Sequence, residues 1–202
     1  MSNKGVENND DEICEICEGI ASMLRYSTST LERSASIRDE IEHLSKYLSL
    51  MKKRFEHRLV FNIDIDNTII GEKVPKIILQ QVAENSIEHG FRNLRKVMEI
   101  RIRGYVDAGY WYIEITDNGE GFKPEISQRL QESIKKMERE LTGDSLQTGY
   151  AIGGMGLINI YGRLKLFFKD NFVFELGNKP QGGAFVLIGG ESHSVKGKDR
   201  DV

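Results

Sequence analysis

The sequence predicts an α+β fold: a two-layer α/β sandwich, with a mixed sheet carrying helices on one face, preceded by a helical segment. Three observations predict it. Apolar residues recur at helical spacing over residues 11–57, strand-like alternation begins at Leu59, and beyond that point strands and helices do not alternate strictly. The last observation disfavours a doubly wound parallel sheet. With 202 residues, 39% of them hydrophobic and 29% charged, the chain can bury a core and is too apolar for disorder.

Residues 1–10 read as a disordered polar leader. From Asp11 to about Leu31, Ile13, Ile16, Ile20, Met23 and Leu24 fall at helical spacing, with Asp10 and Asp11 as N-cap candidates. The Ser27–Thr30 cluster weakens that pattern. A second helix runs from about Ile37 to Phe55, with Ile41, Leu44, Leu48 and Met51 on one stripe. Each helix has one apolar face, so each is expected to pack on the other, on the following domain, or on another subunit. Residues 11–57 thus form a helical segment and 58–190 the main domain.

Within that domain Leu59, Phe61, Ile63 and Ile65 alternate with wetter positions, as in a half-buried strand. Pro75 suits the first turn of a helix over 75–91 that stops at Gly90. Strands over 97–106 and 110–116 follow, joined by a turn at Asp107, Ala108 and Gly109. Residues 122–152 form an insertion, a charged helix from about Pro124 to Leu141 and then a Gly/Ser/Thr stretch. A helix over 156–168, strands over 171–176 and 184–189, and a polar tail over 191–202 complete the chain.

Composition excludes several classes. A net charge of −3 argues against a nucleic-acid binder held by bulk electrostatics. No window of eighteen apolar residues is present to span a bilayer, and the polar N-terminus is wrong for a signal peptide. Two cysteines cannot build a disulfide framework and fit a reducing, cytoplasmic setting. Cys14 and Cys17 have C-x-x-C spacing without a second pair, so they are expected as buried helix-packing residues rather than zinc ligands. Neither a Walker A sequence nor a Rossmann fingerprint occurs, which excludes those nucleotide folds at motif level.

Glycine is unevenly spread. Of 20 glycines, ten fall between Gly149 and Gly190, with Gly119 and Gly121 just before. Asp117-Asn118-Gly119-Glu120-Gly121 follows a strand, where a carboxylate can point into a pocket and accept from an adenine amino group. Gly153-Gly154-Met155-Gly156-Leu157 opens a helix, whose bare N–H groups suit phosphate oxygens. Gln80 to Gly90 places Gln81, Asn85 and either Glu88 or His89 on one helix face, where an Asn carbonyl could serve Mg²⁺. Each alone has an ordinary reading: a surface turn, a loop ahead of a helix, a solvated face. Their conjunction is what carries weight.

In this order the three resemble the N, G1 and G2 boxes of the Bergerat (GHKL) ATP-binding fold, shared by histidine kinases, gyrase B, MutL proteins and Hsp90. The wording Glu84-Asn85-Ser86-Ile87-Glu88-His89-Gly90 and Gly154-Met155-Gly156-Leu157-Ile158-Asn159-Ile160-Tyr161-Gly162-Arg163-Leu164 is similar to LytS/YehU-type sensor histidine kinases. Leu24-Arg25-Tyr26-Ser27, Tyr47-Leu48 and Lys53-Arg54-Phe55 resemble that group's linker between dimerisation helices and catalytic domain. The resemblance implies ATP and Mg²⁺ as cofactors, with Asn85 as metal ligand and Asp117 reading adenine. It implies that Gly119 and Gly121 pass close to the base, and that Gly154, Gly156 and Leu157 hold phosphates. Glu84, Asn85 and His89 are the implied catalytic set, and residues 122–152 the ATP lid, which has no hydrophobic density of its own and is expected to be mobile until nucleotide orders it. The implied reaction moves the γ-phosphoryl group to a histidine and then to a response-regulator receiver domain, in a parent that dimerises and is anchored in the membrane.

The departures from the pattern are specific. A His-Phe-Leu-Phe-Asn-like phosphoacceptor run is missing, and His43, His57, His89 and His193 lack its context, so the histidine is expected outside this chain. Glu88 stands where the family has Lys, a like charge that His89 or Lys135 would have to offset; Ala184 stands where it has a hydroxyl. Two alternatives remain at this level, a GHKL-type ATPase and a non-catalytic ATP-binding or dimerisation module. The ATPase needs a base four residues before Asn85, where this chain has Gln81.

Overall fold

The computed structural model describes residues 33–91, 96–142 and 156–192, together with Cys17, Ile20, Ala21, Leu24 and Tyr26, which are helical. A short strand β1 (Ser34–Ser36) leads into α1 (Ile37–Phe55), then β2 (Leu59–Ile65) and a second short strand β3 (Lys73–Pro75). Next come α2 (Ile78–Asn85), ending in a π-helical turn over Ser86–Gly90, and the strands β4 (Met98–Asp107) and β5 (Tyr110–Asp117). The helices α3 (Pro124–Thr142) and α4 (Gly156–Phe168) and the strands β6 (Phe172–Asn178) and β7 (Ala184–Glu191) follow.

Five strands form one mixed sheet in the order β2-β4-β5-β7-β6, with only β2 and β4 parallel. Alternation decides the layering. Met98, Ile100 and Ile102 of β4, Trp111, Ile113 and Ile115 of β5, and Val186 and Ile188 of β7 are buried on one face. Their neighbours Glu99, Arg101 and Arg103 are exposed on the other. The helices cover the apolar face: α1 packs on α2 and β2, α2 on α4, and α3 on α4. This is the two-layer α+β arrangement that the sequence predicts. The β4–β5 hairpin turns through Ala108 and Gly109, both at positive φ (47° and 83°), the geometry of a two-residue turn matched to strand twist.

The start of α1 is fixed locally. Ser36 Oγ accepts from the Asp39 N–H at 3.2 Å, and the Asp39 carboxylate accepts from the Ser36 N–H at 2.9 Å, a reciprocal capping box. The same residue, Ser36, pairs with Lys73 across β1 and β3, so the strand delivers the chain directly into the helix.

Four expectations need correction. Pro75 does not open a helix; it ends β3, paired with Ser34, and α2 starts three residues later. The missed strands β1 and β3 have three residues each, too few for alternation to register. Cys17 is exposed rather than buried, as are Ile20 and Leu24, because no element of this chain covers that stripe among the described residues; Cys14 lies outside them. The insertion is not without apolar anchors either: α3 buries Leu130 and Met137, and Tyr161 of α4 donates to Glu138 at 2.6 Å. Residues 143–152 of the expected lid, and Gly154, lie outside the described residues. Among those described, no helix is long and apolar enough to cross a membrane.

Removing the capping box by Ser36→Ala should lower stability by about 1 kcal/mol. Urea unfolding followed by far-UV circular dichroism would show it as a lower midpoint with an unchanged slope.

Candidate functional site

A cavity of about 620 Å³ opens beside the C-terminal end of β5. One wall is α2 with its π-helical turn, the floor is β5 and the start of β7, and the opposite wall is the first half of α3. Of the residues singled out from sequence, Asn85, His89, Asp117, Gly121, Gly156 and Leu157 line it.

Asp117 is the last residue of β5 and is only 3% exposed. Its Oδ1 accepts from the Gly119 N–H at 2.8 Å and from the Ala184 N–H at 3.1 Å. Its Oδ2 accepts from no described residue and is not a sealed atom; it opens onto the cavity that Asp117 lines. The chain must turn hard after this residue. Asn118 ties the turn to β4, accepting from Glu99 N–H at 3.0 Å and donating to Val97 C=O at 3.0 Å. Gly119 then passes so close to α2 that a Cβ would lie 2.4 Å from the Gly90 carbonyl oxygen. Glu120 N–H closes the crossing on that same oxygen at 2.8 Å. Gly119 does not itself line the cavity; it lets the loop that does so seat against the helix end.

Asn85 is half-buried at the end of α2. Its Nδ2 donates to the Gln81 carbonyl at 2.6 Å, and only the nitrogen can serve a carbonyl, so Oδ1 is the oxygen left without a partner among the described residues. Opposite stands Gly156, the first residue of α4. A Cβ there would lie 2.9 Å from Asn85 Nδ2, so glycine is what allows the two helix ends to meet. The first residue of α4 therefore meets the Asn85 amide, and the start of a helix is a setting suited to an anion.

The other predicted residues separate. Glu84 does not line the cavity: it sits about 100° round the helix from Asn85 and accepts from Gln80 Nε2 at 2.6 Å. Glu84 is therefore withdrawn from the catalytic set. Glu88 is exposed, and like Glu84 it acts on Tyr47, whose phenol is pushed up mainly by burial and then by these two charges. The like charge expected near the phosphates thus points elsewhere. In the widened turn it is Ser86 and His89 that face the cavity. Lys135 is exposed and away from it. Gln81 contributes its backbone to Asn85, and its side-chain Oε1 accepts from Arg163 at 3.4 Å.

The sequence reading places residues 122–152 over the site as a lid but does not name the residues of α3 that line the cavity. Lys123, Arg129 and Leu130 line the cavity, with Ile115 and Val186 on the floor. The signal was present as Ile126, Leu130, Ile134 and Met137, an apolar stripe at helical spacing inside a run of charges.

Comparison with known proteins agrees with this geometry. The family model described as histidine kinase-, DNA gyrase B-, and HSP90-like ATPase matches residues 72–188, and the histidine kinase model matches 2–59. The sensor histidine kinase YesM of Bacillus subtilis is 28% identical over 181 residues, covering 90% of this chain and 28% of that protein. The sensor protein LytS of Enterococcus faecalis is 25% identical over 158 residues, covering 78% of this chain and 25% of that protein. The chain thus spans about a quarter of the length of these relatives. Among solved structures, the histidine kinase domain of the Erythrobacter litoralis blue-light activated histidine kinase superposes with a TM-score of 0.51 at 13% identity. It covers 91% of this chain and 76% of that one. The Acinetobacter baumannii histidine kinase AdeS superposes with a TM-score of 0.51 at 14% identity, over 94% and 83% of the two chains. With one family model covering more than half its length, the chain belongs to the histidine kinase-, DNA gyrase B-, and HSP90-like ATPase family.

Proposed function

We propose that the cavity binds ATP with Mg²⁺, and that the chain supplies the nucleotide side of a phosphoryl transfer to a histidine outside this chain. The observation that carries the reading is the Asp117 carboxylate: one oxygen is locked by two backbone N–H groups, the other is left for a ligand donor. An adenine amino group is such a donor, and a guanine carbonyl at the same place is not. Ile115, Val186 and Leu130 offer apolar surface to the base. The α4 N-terminus at Gly156 and Leu157, with Lys123 and Arg129, suits the phosphates.

The residues fit a magnesium ion held jointly with phosphates. Among the described residues Asn85 Oδ1 is a hard oxygen with no hydrogen-bond partner, and no group of three His, Cys, Asp or Glu could hold a metal alone. The remaining ligands would be phosphate oxygens and waters, as is usual for this ion. Bound there, it would supply charge neutralisation to the transferring group. Asn85 holds the metal side, His89 stands next to it on the cavity wall, and Asp117 sets the base; the chain's work is positioning.

Gln81 cannot act as a base, and its side chain is engaged by Arg163, so the water-activating ATPase reading loses support. The family's relay supports a receiver-domain aspartate as the final acceptor and a homodimeric parent. The need for ATP supports a cytoplasmic position, with a membrane-anchored sensor as the parent.

Calorimetric titration with the non-hydrolysable analogue AMPPNP, with and without Mg²⁺, tests the reading. Asp117→Asn should weaken binding of adenosine and AMPPNP by about tenfold or more while leaving the fold intact, since its Oδ1 can still accept from Gly119 and Ala184. Unchanged affinity would remove the adenine assignment. Asn85→Ala should keep adenosine binding and lose the gain that Mg²⁺ gives to AMPPNP. For transfer, labelled ATP with a separately supplied histidine-bearing helical partner should label that partner; binding without labelling would favour a non-catalytic module.

A further inference from the structure

We infer that Glu40 is a positioning residue for the nucleotide site: from α1 it caps α2 and makes the set of Asn85 depend on the Tyr26 hydroxyl. The inference rests on the reading of Asn85 as the metal-side ligand.

The helix α2 has no cap of its own. Its N-cap residue is Ile77, with no capping side chain and a left-handed backbone at φ 64°. That conformation is costly for a β-branched residue and persists only where the surroundings impose it. Here they do. Glu40, 1% exposed, accepts from the Ile77 N–H at 2.6 Å through Oε1 and from the Leu79 N–H at 3.2 Å through Oε2. Arg163 of α4 donates to the Lys76 carbonyl, so both polar ends of the Lys76–Ile77 peptide are held by side chains from other elements. The carboxylate also meets the positive end of α2, which favours its charge.

Glu40 is in turn held from upstream. Tyr26 Oη donates to the same Oε1 at 2.6 Å, its ring stacks on His43 at 4.2 Å, and the Lys76 ammonium lies 5.2 Å from that ring's centroid. Burial pushes the Glu40 carboxyl up, while the Tyr26, Ile77 and Leu79 hydrogen bonds and the Arg163 charge pull it back. Losing the Tyr26 donor leaves this buried group short of a partner at the point where α2 begins. Only eight residues separate that point from the site, and the Gln81 carbonyl that holds Asn85 Nδ2 lies between. A shift at the cap therefore reaches the amide with little length of helix to absorb it. Asp117 is held by different groups, the N–H of Gly119 and of Ala184. The cap thus bears on the phosphate end of the cavity and not on the base end.

That asymmetry is the test. Tyr26→Phe removes one hydroxyl and keeps the ring on His43, while Glu40→Gln removes the charge and one acceptor. In the 202-residue chain, both should weaken Mg²⁺–AMPPNP by at least about fivefold and leave adenosine affinity within about twofold, with a single cooperative melt. Unchanged Mg²⁺–AMPPNP affinity in both variants overturns the inference. So does an equal loss for adenosine and Mg²⁺–AMPPNP, which is what a merely structural role would give. Asn85→Ala measured alongside separates the two failures. If it leaves Mg²⁺–AMPPNP binding intact, the reading of the site falls and the inference with it. If it weakens binding while Tyr26→Phe and Glu40→Gln do not, the inference alone falls.

Discussion

A carboxylate with 3% exposure must find donors, and the Asp117 side chain finds them in two separate stretches of chain. Gly119 N–H brings in the loop after β5, and Ala184 N–H brings in the first residue of β7. A third stretch is nearby: a Cβ on Gly90, at the end of the π-helical turn, would lie 3.5 Å from Asp117 Oδ1. One side chain thus gathers the ends of a helix turn and two strands, and the cavity is the space this gathering leaves. Glycine at 119 is the geometric consequence, because a Cβ there would lie 2.4 Å from the Gly90 carbonyl oxygen. The alanine at 184, which sequence comparison marks as a missing hydroxyl, donates through its backbone, and that contact does not depend on its side chain.

The legible part of this molecule is the local part. The strands β2, β4, β5 and β7 read clearly because one face of the sheet is covered and the other is open, so alternation is enforced over seven to ten residues. Asp117 and Asn85 could be singled out because each has a partner within its own short motif, Gly119 two residues on and Gln81 four residues back, whereas their contacts with Ala184 and Gly156 are distant in sequence. What failed is non-local. The strands β1 and β3 exist only because residues 34–36 and 73–75 pair with each other across α1 and β2. Glu40 reads as one more charge on a helix of mixed composition, and its partners are 37 and 39 residues away. The π-helical turn failed for a different reason. An α-helical count puts Glu88 and His89 equally near the face of Asn85, and a wider turn decides between them.

The α3 helix shows how charge can hide a packing role. Its sequence looks solvated, yet Leu130 and Met137 are buried and Ile126, 48% exposed, stands at the cavity rim. A helix that buries one edge and leaves apolar surface at a rim is suited to close over an apolar ligand face, because covering that surface is itself favourable. The base end of the cavity is where such surface lies, beside Ile115 and Val186.

The charge around the cavity presents the opposite balance. Among the described residues lining it as a whole, Lys123 and Arg129 stand with Asp117, Glu120 and Glu132, so the side chains offer no surplus of positive charge. On the proposed reading a triphosphate would bring several negative charges into a lining whose own cations do not exceed its carboxylates. The remaining sources are the N-terminus of α4, worth about half a charge, and a divalent ion brought by the nucleotide itself. Such a site holds a triphosphate well only when the metal is correctly seated. On the proposed reading, the Asn85 amide, fixed at one end by Gln81 and carried on a helix whose start is capped from α1, is the group that would control that seating.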